Sequence, residues 1–294
     1  MLLLTGLLIA SGLGAGLLGA MLGLGGGVFL VPLLALAFGL PMHTAIAASL
    51  VAVIATSCAG ASSYLNAGLT NLRLGALLLT TTCVGAVTGG LLAARFSDAV
   101  LAALFGVVLL YAAFSMFRSD GAPRAPEEVM PANSATQADS QLARFAQECF
   151  DRLSCTYRDQ VMRCDVTYRP RRLASGLGLS LGAGAMSGLL GIGGGVVQVP
   201  IMHLTMCLPV RAAAGTSNYM VGVTAAASAF IYYGSGFVDP SVAVPTVLGT
   251  FFGARLGARV AQRVQSAWLS RILAIVLLYV AIQMLLRAAG VRLT

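Results

Sequence analysis

Charge is what this 294-residue sequence has least of. Only 10% of its residues are charged, no lysine occurs, and there is a single tryptophan. A soluble globular domain carries about 25% charged residues, so an ordinary soluble fold is excluded. No G-x-S-x-G, H-E-x-x-H or Walker sequence is present, and no pair of carboxylates lies in an apolar stretch. Hydrolysis, ATP drive and acid–base catalysis therefore lack their residues. No catalytic or metal-ligating set is assigned, no cofactor is expected, and the chain is not read as an enzyme. The six cysteines do not alter this. Cys58, Cys83 and Cys207 fall in apolar segments, where a thiol behaves as a small hydrophobe. Cys149, Cys155 and Cys164 have a C-x5-C-x8-C spacing that matches no zinc pattern. His43 and His203 do not pair with each other under the repeat described below and read as interfacial or packing residues.

What the sequence has is apolar length. Hydrophobic residues make up 58% of it, the mean hydropathy is +0.88, and several apolar runs approach twenty residues. Together these define a polytopic membrane protein with the lipid bilayer as its solvent. The runs lack the polar/apolar alternation of a barrel wall, so the spans should be helices. The fold class is all-α. The net charge of +8 is then a topology signal, since the arginines flank apolar spans; nucleic acid is not expected as a partner. The first apolar run has no basic residues before it and reads as a retained helix, not a cleaved signal peptide.

The chain repeats itself. GLGGGVFLVP at 23 to 32 returns as GIGGGVVQVP at 191 to 200, with seven of ten residues identical and an offset of 168. Pro41 with Pro209, Ala45 with Ala213, Ser49 with Ser217, and VLLYAAFSM at 108 to 116 with VLLYVAIQM at 276 to 284 keep that offset. A small indel is expected near Gly85 and Gly249. The organisation is a first membrane repeat at 1–117, a linker and insert at 118–172 and a second membrane repeat at 173–294. Duplicated membrane halves broken by glycine at the same place are the sequence mark of a transporter.

Between 8 and 10 membrane segments follow, depending on whether the short segments led by Gly25 and Gly193 cross or turn back. If they cross, the copies are inverted and fifteen arginines share a side with the insert, against three opposite; if they return, the split is twelve to six. The crossing arrangement obeys the positive-inside tendency better. The expectation is two inverted repeats, a cytoplasmic insert and a multi-pass protein of the cell membrane. Eight of the ten acidic residues and nine of the eighteen arginines fall between Arg118 and Arg172. Residues 119 to 141 read as a flexible linker, and SCTYRDQVMRCDVTYRP at 154 to 170 resembles a small β-hairpin, either a cap over the membrane part or a solvated connector.

Isolated glycines such as Gly12, Gly16, Gly85, Gly89, Gly249 and Gly253 suit close helix packing. Three in succession are different. Gly25, Gly26 and Gly27, and again Gly193, Gly194 and Gly195, would each weaken a continuous helix by about 1 kcal/mol relative to alanine, which packing does not require three times over. A break there leaves free N–H groups and a partial positive charge at the start of the following half-helix, able to hold an oxyanion without a formal charge in the bilayer. Inverted repeats would bring the two starts together near the midplane. A second polar cluster is Thr216, Ser217 and Asn218, with Ser49 in the first copy; Gln198, where the first copy has Leu30, is a further candidate. Each of these can instead serve an interhelical hydrogen bond.

On GLGGGVFLVP with Pro41 and Ala48-Ser49, and on SGLLGIGGGVVQVP with Pro209 and Gly215-Thr216-Ser217-Asn218, the chain resembles the sulfite exporter TauE/SafE family of membrane permeases. The resemblance implies transport of a small inorganic or organic sulfur oxyanion such as sulfite, thiosulfate or a sulfonate, outward in many members. A homo-oligomer is compatible with it. The competing reading is a non-transporting membrane scaffold whose glycine breaks serve packing and whose insert recruits a partner.

Overall fold

The computed structural model describes residues 2–22, 24–119, 155–158, 165–168, 170, 172–261 and 266–289. Among them the chain is almost entirely helical. The first copy contains α1 (Leu2–Leu22), α2 (Gly27–Pro32, continued by a wider π turn at Leu33–Ala37), α3 (Met42–Asn66), α4 (Leu72–Ala93) and α5 (Asp98–Ser119). The second contains α6 (Leu173–Leu190), α7 (Gly195–Pro200, with a π turn at Ile201–Thr205), α8 (Val210–Gly234), α9 (Pro240–Ala261) and α10 (Ser266–Ala288). Between them strands β1 (Cys155–Arg158) and β2 (Asp165–Tyr168) pair antiparallel, Cys155 opposite Tyr168 and Arg158 opposite Asp165. Cys149, Cys164 and, apart from Ser119, the linker expected at 119–141 lie outside the described residues.

Local chemistry sets the helix boundaries. Pro41 and Pro209 hold extended backbone (ψ 147° and 138°) immediately before α3 and α8, where a missing N–H costs nothing. Asn71 caps α4 by accepting from the Leu74 N–H at 3.1 Å. Asp239, at the matching position (71 + 168), accepts from the Ser241 N–H at 2.9 Å. The starts of α7, α8, α9 and α10 each lie 168 residues after those of α2, α3, α4 and α5. The expected indel near Gly85 and Gly249 is therefore corrected. A Cβ on Gly85 would meet the Leu181 carbonyl oxygen at 2.1 Å, and one on Gly253 the Leu13 carbonyl oxygen at the same distance. Gly85 thus corresponds to Gly253, not to Gly249, and the offset runs unbroken through α4 and α9.

Five helices, over Leu4–Met21, Met42–Asn66, Leu72–Ala93, Leu173–Leu190 and Pro240–Val260, are long and apolar enough to cross a membrane among the described residues. Two glycine-lined pairs form the framework. Gly249, Gly253 and Gly257 of α9 lie on the carbonyls of Ile9, Leu13 and Leu17, so α1 and α9 run parallel with their backbones in contact. Gly85 and Gly89 of α4 meet Leu181 and Ala185 of α6 in the same way, and Gly184 and Gly188 return the contact against Thr82 and Ala86. Glycine is needed because a side chain at any of these positions would push whole helices apart. Helices α3 and α8 pack antiparallel between the pairs: Ser57 lies on Gly222 and Asn218 on Gly60. The core follows that line, with Leu50, Ala52, Val53, Val221 and Ala225 at most 1% exposed.

One face of the molecule is tied across four elements. Asp98, at the start of α5, accepts from the Met42 N–H at 3.1 Å and lies 2.7 Å from His43 Nδ1. His43 Nε2 donates to the Ala93 carbonyl at the end of α4 at 3.1 Å. Because a carbonyl only accepts, Nε2 carries the hydrogen of that bond. The imidazole also stacks on Phe237, after α8, at 4.7 Å. His43 is therefore a tie between elements as well as a packing residue. Close by, Arg287 of α10 donates to the carbonyls of Ala35 and Leu40 at the end of the first short helix. Asp98→Ala removes the α3 cap and the His43 bond together. It is expected to lower stability by about 1–3 kcal/mol, read as a fall in the thermal midpoint in detergent; adding His43→Ala should lower it further, through the lost Ala93 bond and Phe237 stack, but by less than His43→Ala does alone.

Candidate functional site

The two triple-glycine segments are broken and adjacent. Gly25 and Gly26 have φ of 79° and 78°, Gly193 and Gly194 of 75° and 80°; these left-handed conformations reverse the chain and are reached at no steric cost only by glycine. Gly26 and Gly194 sit as N-caps of α2 and α7. The first intrahelical bonds run from Phe29 and Leu30 to the Gly26 carbonyl, and from Val197 and Gln198 to that of Gly194. The N–H groups of Gly27 and Val28, and of Gly195 and Val196, precede those bonds.

Both breaks rest on one pair of side chains. A Cβ at Gly25 would meet Val221 Cγ1 at 2.7 Å and Val53 Cγ1 at 3.2 Å; at Gly193 it would meet both at 2.7 Å. At Gly27 it would lie 2.5 Å from the Gly191 carbonyl, so the two loops are themselves in contact. Val53 and Val221 are related by the repeat, and each stands eleven residues into a helix of 25. At 1.5 Å per residue such a helix is about 37 Å long, so the breaks lie at its middle depth. All six glycines are buried.

Beside the second break is a cavity of about 10 Å³, lined by Gly193, Gly194, Gln198, Thr82, Ser187 and Thr224 with apolar neighbours. That is room for about one water molecule and too little for a four-atom oxyanion, so a ligand enters only if helices part. Gln198 is 2% exposed; its amide donates to Ser180 Oγ at 3.0 Å and approaches Met220 Sδ at 3.9 Å. Thr224 directs its hydroxyl to the Gly193 carbonyl at 3.3 Å among other acceptors. Ser187 Oγ has no hydrogen-bond partner among the described residues.

The structure sorts the sequence candidates. Gly25, Gly26, Gly27, Gly193, Gly194 and Gly195 come together, and Gln198 joins them. Ser49 is buried at the same junction, but its hydroxyl points at the carbonyls of Ile46 (2.8 Å) and Gly191 (2.9 Å), which uses its single proton as a tie between the copies. Thr216, Ser217 and Asn218 diverge because successive helical residues lie about 100° apart. Thr216 accepts from the Asn71 N–H at 3.0 Å near the α3–α4 turn, Ser217 is buried, and Asn218 is turned toward Gly60 of α3. Thr82, Ser187, Thr224 and Ser57 were not among the sequence candidates. Single hydroxyls in apolar helices carry no pattern that marks them; only the repeat, which sets Ser187 opposite Gly19 and Ser57 opposite Ala225, distinguishes Ser187 and Ser57.

Comparison with known proteins finds a family and several relatives. The family model described as "Sulfite exporter TauE/SafE" matches residues 8–284. The chain is similar to "Probable membrane transporter protein YunE" of Bacillus subtilis (strain 168), 24% identical over 286 residues covering 95% of this chain and 96% of that protein. It is similar also to "Probable membrane transporter protein YdhB" of the same organism, 26% identical over 80% of this chain and 81% of that protein. "Probable membrane transporter protein MamO" of Paramagnetospirillum magneticum (strain ATCC 700264 / AMB-1) is 28% identical over 73% of this chain but only 32% of its own length. No solved structure matches.

Proposed function

The chain belongs to the sulfite exporter TauE/SafE family of membrane transporters, and from that premise we propose that it exports a small sulfur-containing oxyanion, such as sulfite, thiosulfate or an organosulfonate, across the cell membrane. The anion is held where the two glycine breaks meet, by the N–H groups that open α2 and α7, and passes by alternating access. The observation that carries this reading is the common seat of Gly25 and Gly193 on Val53 and Val221, at mid-depth. Two helix starts converging there supply partial positive charge with no arginine in the bilayer. No enzymatic step or cofactor is part of the reading.

The repeats at 1–117 and 173–294 are read as inverted. Repeat-related α3 and α8 pack antiparallel, as inversion requires. The parallel contacts of α1 with α9 and of α4 with α6 support the same reading, in which the ends of α2, α4, α8 and α10 share one face and the end of α5 and the start of α6 share the other. On that reading fifteen arginines lie on the insert side and three opposite, a split that supports a cytoplasmic insert. An inside-negative potential favours exit of an anion by about 2.3 kcal/mol per charge per 100 mV, so export needs no coupling ion.

Proteoliposomes bearing the pure protein and loaded with radiolabelled sulfite or thiosulfate test this. Efflux at least tenfold above protein-free vesicles, steeper with the potential negative inside, is expected, and Gly194→Leu should abolish it. No flux of any small anion would favour the scaffold reading instead.

A further inference from the structure

The repeat is broken in one chemical respect. Among the described residues, four buried side chains carry polar atoms without a hydrogen-bond partner: Ser57 Oγ, Thr70 Oγ1, Ser187 Oγ and both amide atoms of Asn218. Subtracting or adding 168 gives their counterparts, which are Ala225, Val238, Gly19 and Leu50. Every one is apolar or lacks a side chain. Packing needs only the apolar version, since an unpaired polar group in a dry interior costs stability. At each of these positions one copy carries that cost and the other does not.

Three of the four lie on one path. Helix α8 begins at the insert face and reaches the glycine breaks at Val221, so Asn218 stands about one turn on the insert side of the centre. Ser57 stands on that side of Val53 along the antiparallel α3. Each faces a glycine on the other helix, Asn218 on Gly60 and Ser57 on Gly222. Asn218 is 0% and Ser57 2% exposed. Farther out, Thr70 lies over Gly215, the next α8 glycine toward the same face. On the other side of the centre the corresponding space is filled by Leu50 and Ala225, both 0% exposed, while Ser228 spends its hydroxyl on the carbonyls of Thr224 and Ala86. That opposite face is also where the His43–Asp98 and Arg287 ties lie.

We infer that Ser57 and Asn218 form a second oxyanion subsite, entered from the insert face and placed ahead of the glycine breaks. The inference rests on the transport reading above. Asn218 Nδ2 offers two N–H groups and Ser57 one O–H, neutral donors for an anion that has shed its water but has not reached the helix starts. The glycines opposite leave room for it when α3 and α8 separate. The Leu50–Ala225 side is the apolar barrier that stays closed while the subsite fills.

Two measurements on the full-length chain decide it. With the six native cysteines replaced by alanine, Ser57→Cys and Asn218→Cys are expected to react with a membrane-impermeant anionic thiosulfonate at least tenfold faster from the insert face than from the opposite face, and Leu50→Cys and Ala225→Cys slowly from both. Equal rates, the reverse preference, or no reaction at 57 and 218 overturns the subsite. Labelling is read without flux, so an inactive unsubstituted protein counts against the transport reading and leaves this test standing. The second is Asn218→Leu, which installs the side chain of the matching position. The expected result is a thermal midpoint unchanged or raised, with sulfite flux from the insert face reduced at least tenfold. A lowered midpoint, or undiminished flux, overturns the assignment.

Discussion

Gly193→Val, like Gly194→Leu, is expected to abolish anion flux. Two costs combine. At φ 75° a side chain pays about 1–2 kcal/mol for left-handed backbone, and its Cβ would meet Val53 Cγ1 and Val221 Cγ1 at 2.7 Å each, an overpacking of about 1–3 kcal/mol. Neither valine can yield easily, because each also seats the other break. The loop must move, and with it the N–H groups that open α7. Flux should drop by at least 100-fold while assembled protein is still recovered. Gly39→Ala is the control, with φ 64° but nothing within 4 Å of the added atom. It should cost about 1 kcal/mol of strain and leave flux unchanged. Equal effects in the two variants would mean that backbone strain, and not the shared seat, governs the site.

Gly253→Leu should act on assembly. The added Cβ would lie 2.1 Å from the Leu13 carbonyl oxygen and 3.0 Å from its Cα, so α1 and α9 can accommodate it only by separating along their length. The loss of that interface should exceed about 4 kcal/mol, the range reserved for broken cores, and abolish the monodisperse peak in gel filtration. Gly85→Leu, the repeat counterpart against Leu181, should do the same. Gly14→Leu, on the open side of α1 with nothing within 4 Å, should leave the elution profile unchanged. If Gly253→Leu assembled normally, the backbone contact between α1 and α9 would not be what holds this pair.

Much of this was legible in the sequence because membrane helices announce themselves by length. The apolar runs visible in the sequence at 72 to 94 and 173 to 190 coincide with α4 and α6 to within a residue. The triple glycines also spoke plainly, as a local motif acting locally. Tertiary register was harder. An indel is expected from the sequence near Gly85 and Gly249; the carbonyls on which Gly85 and Gly253 rest agree instead with the unbroken offset of 168. The sequence cluster Thr216-Ser217-Asn218 read as one site, yet helical geometry sends its members to different neighbours. Ser49 looked like a donor, and its proton is already committed to carbonyls. A hydroxyl's partner is a property of the fold, and no pattern in the chain reports it.

The two glycine-lined pairs have a bearing on how the molecule came to be divided. Each joins a helix of one copy to a helix of the other, α1 to α9 and α4 to α6, backbone against backbone. Neither sequence copy is therefore a body of its own: cut free, each would leave its closest-fitting surfaces bare. An opening of the centre that kept both backbone contacts would have to fall between the mixed pairs, and not along the join between the copies.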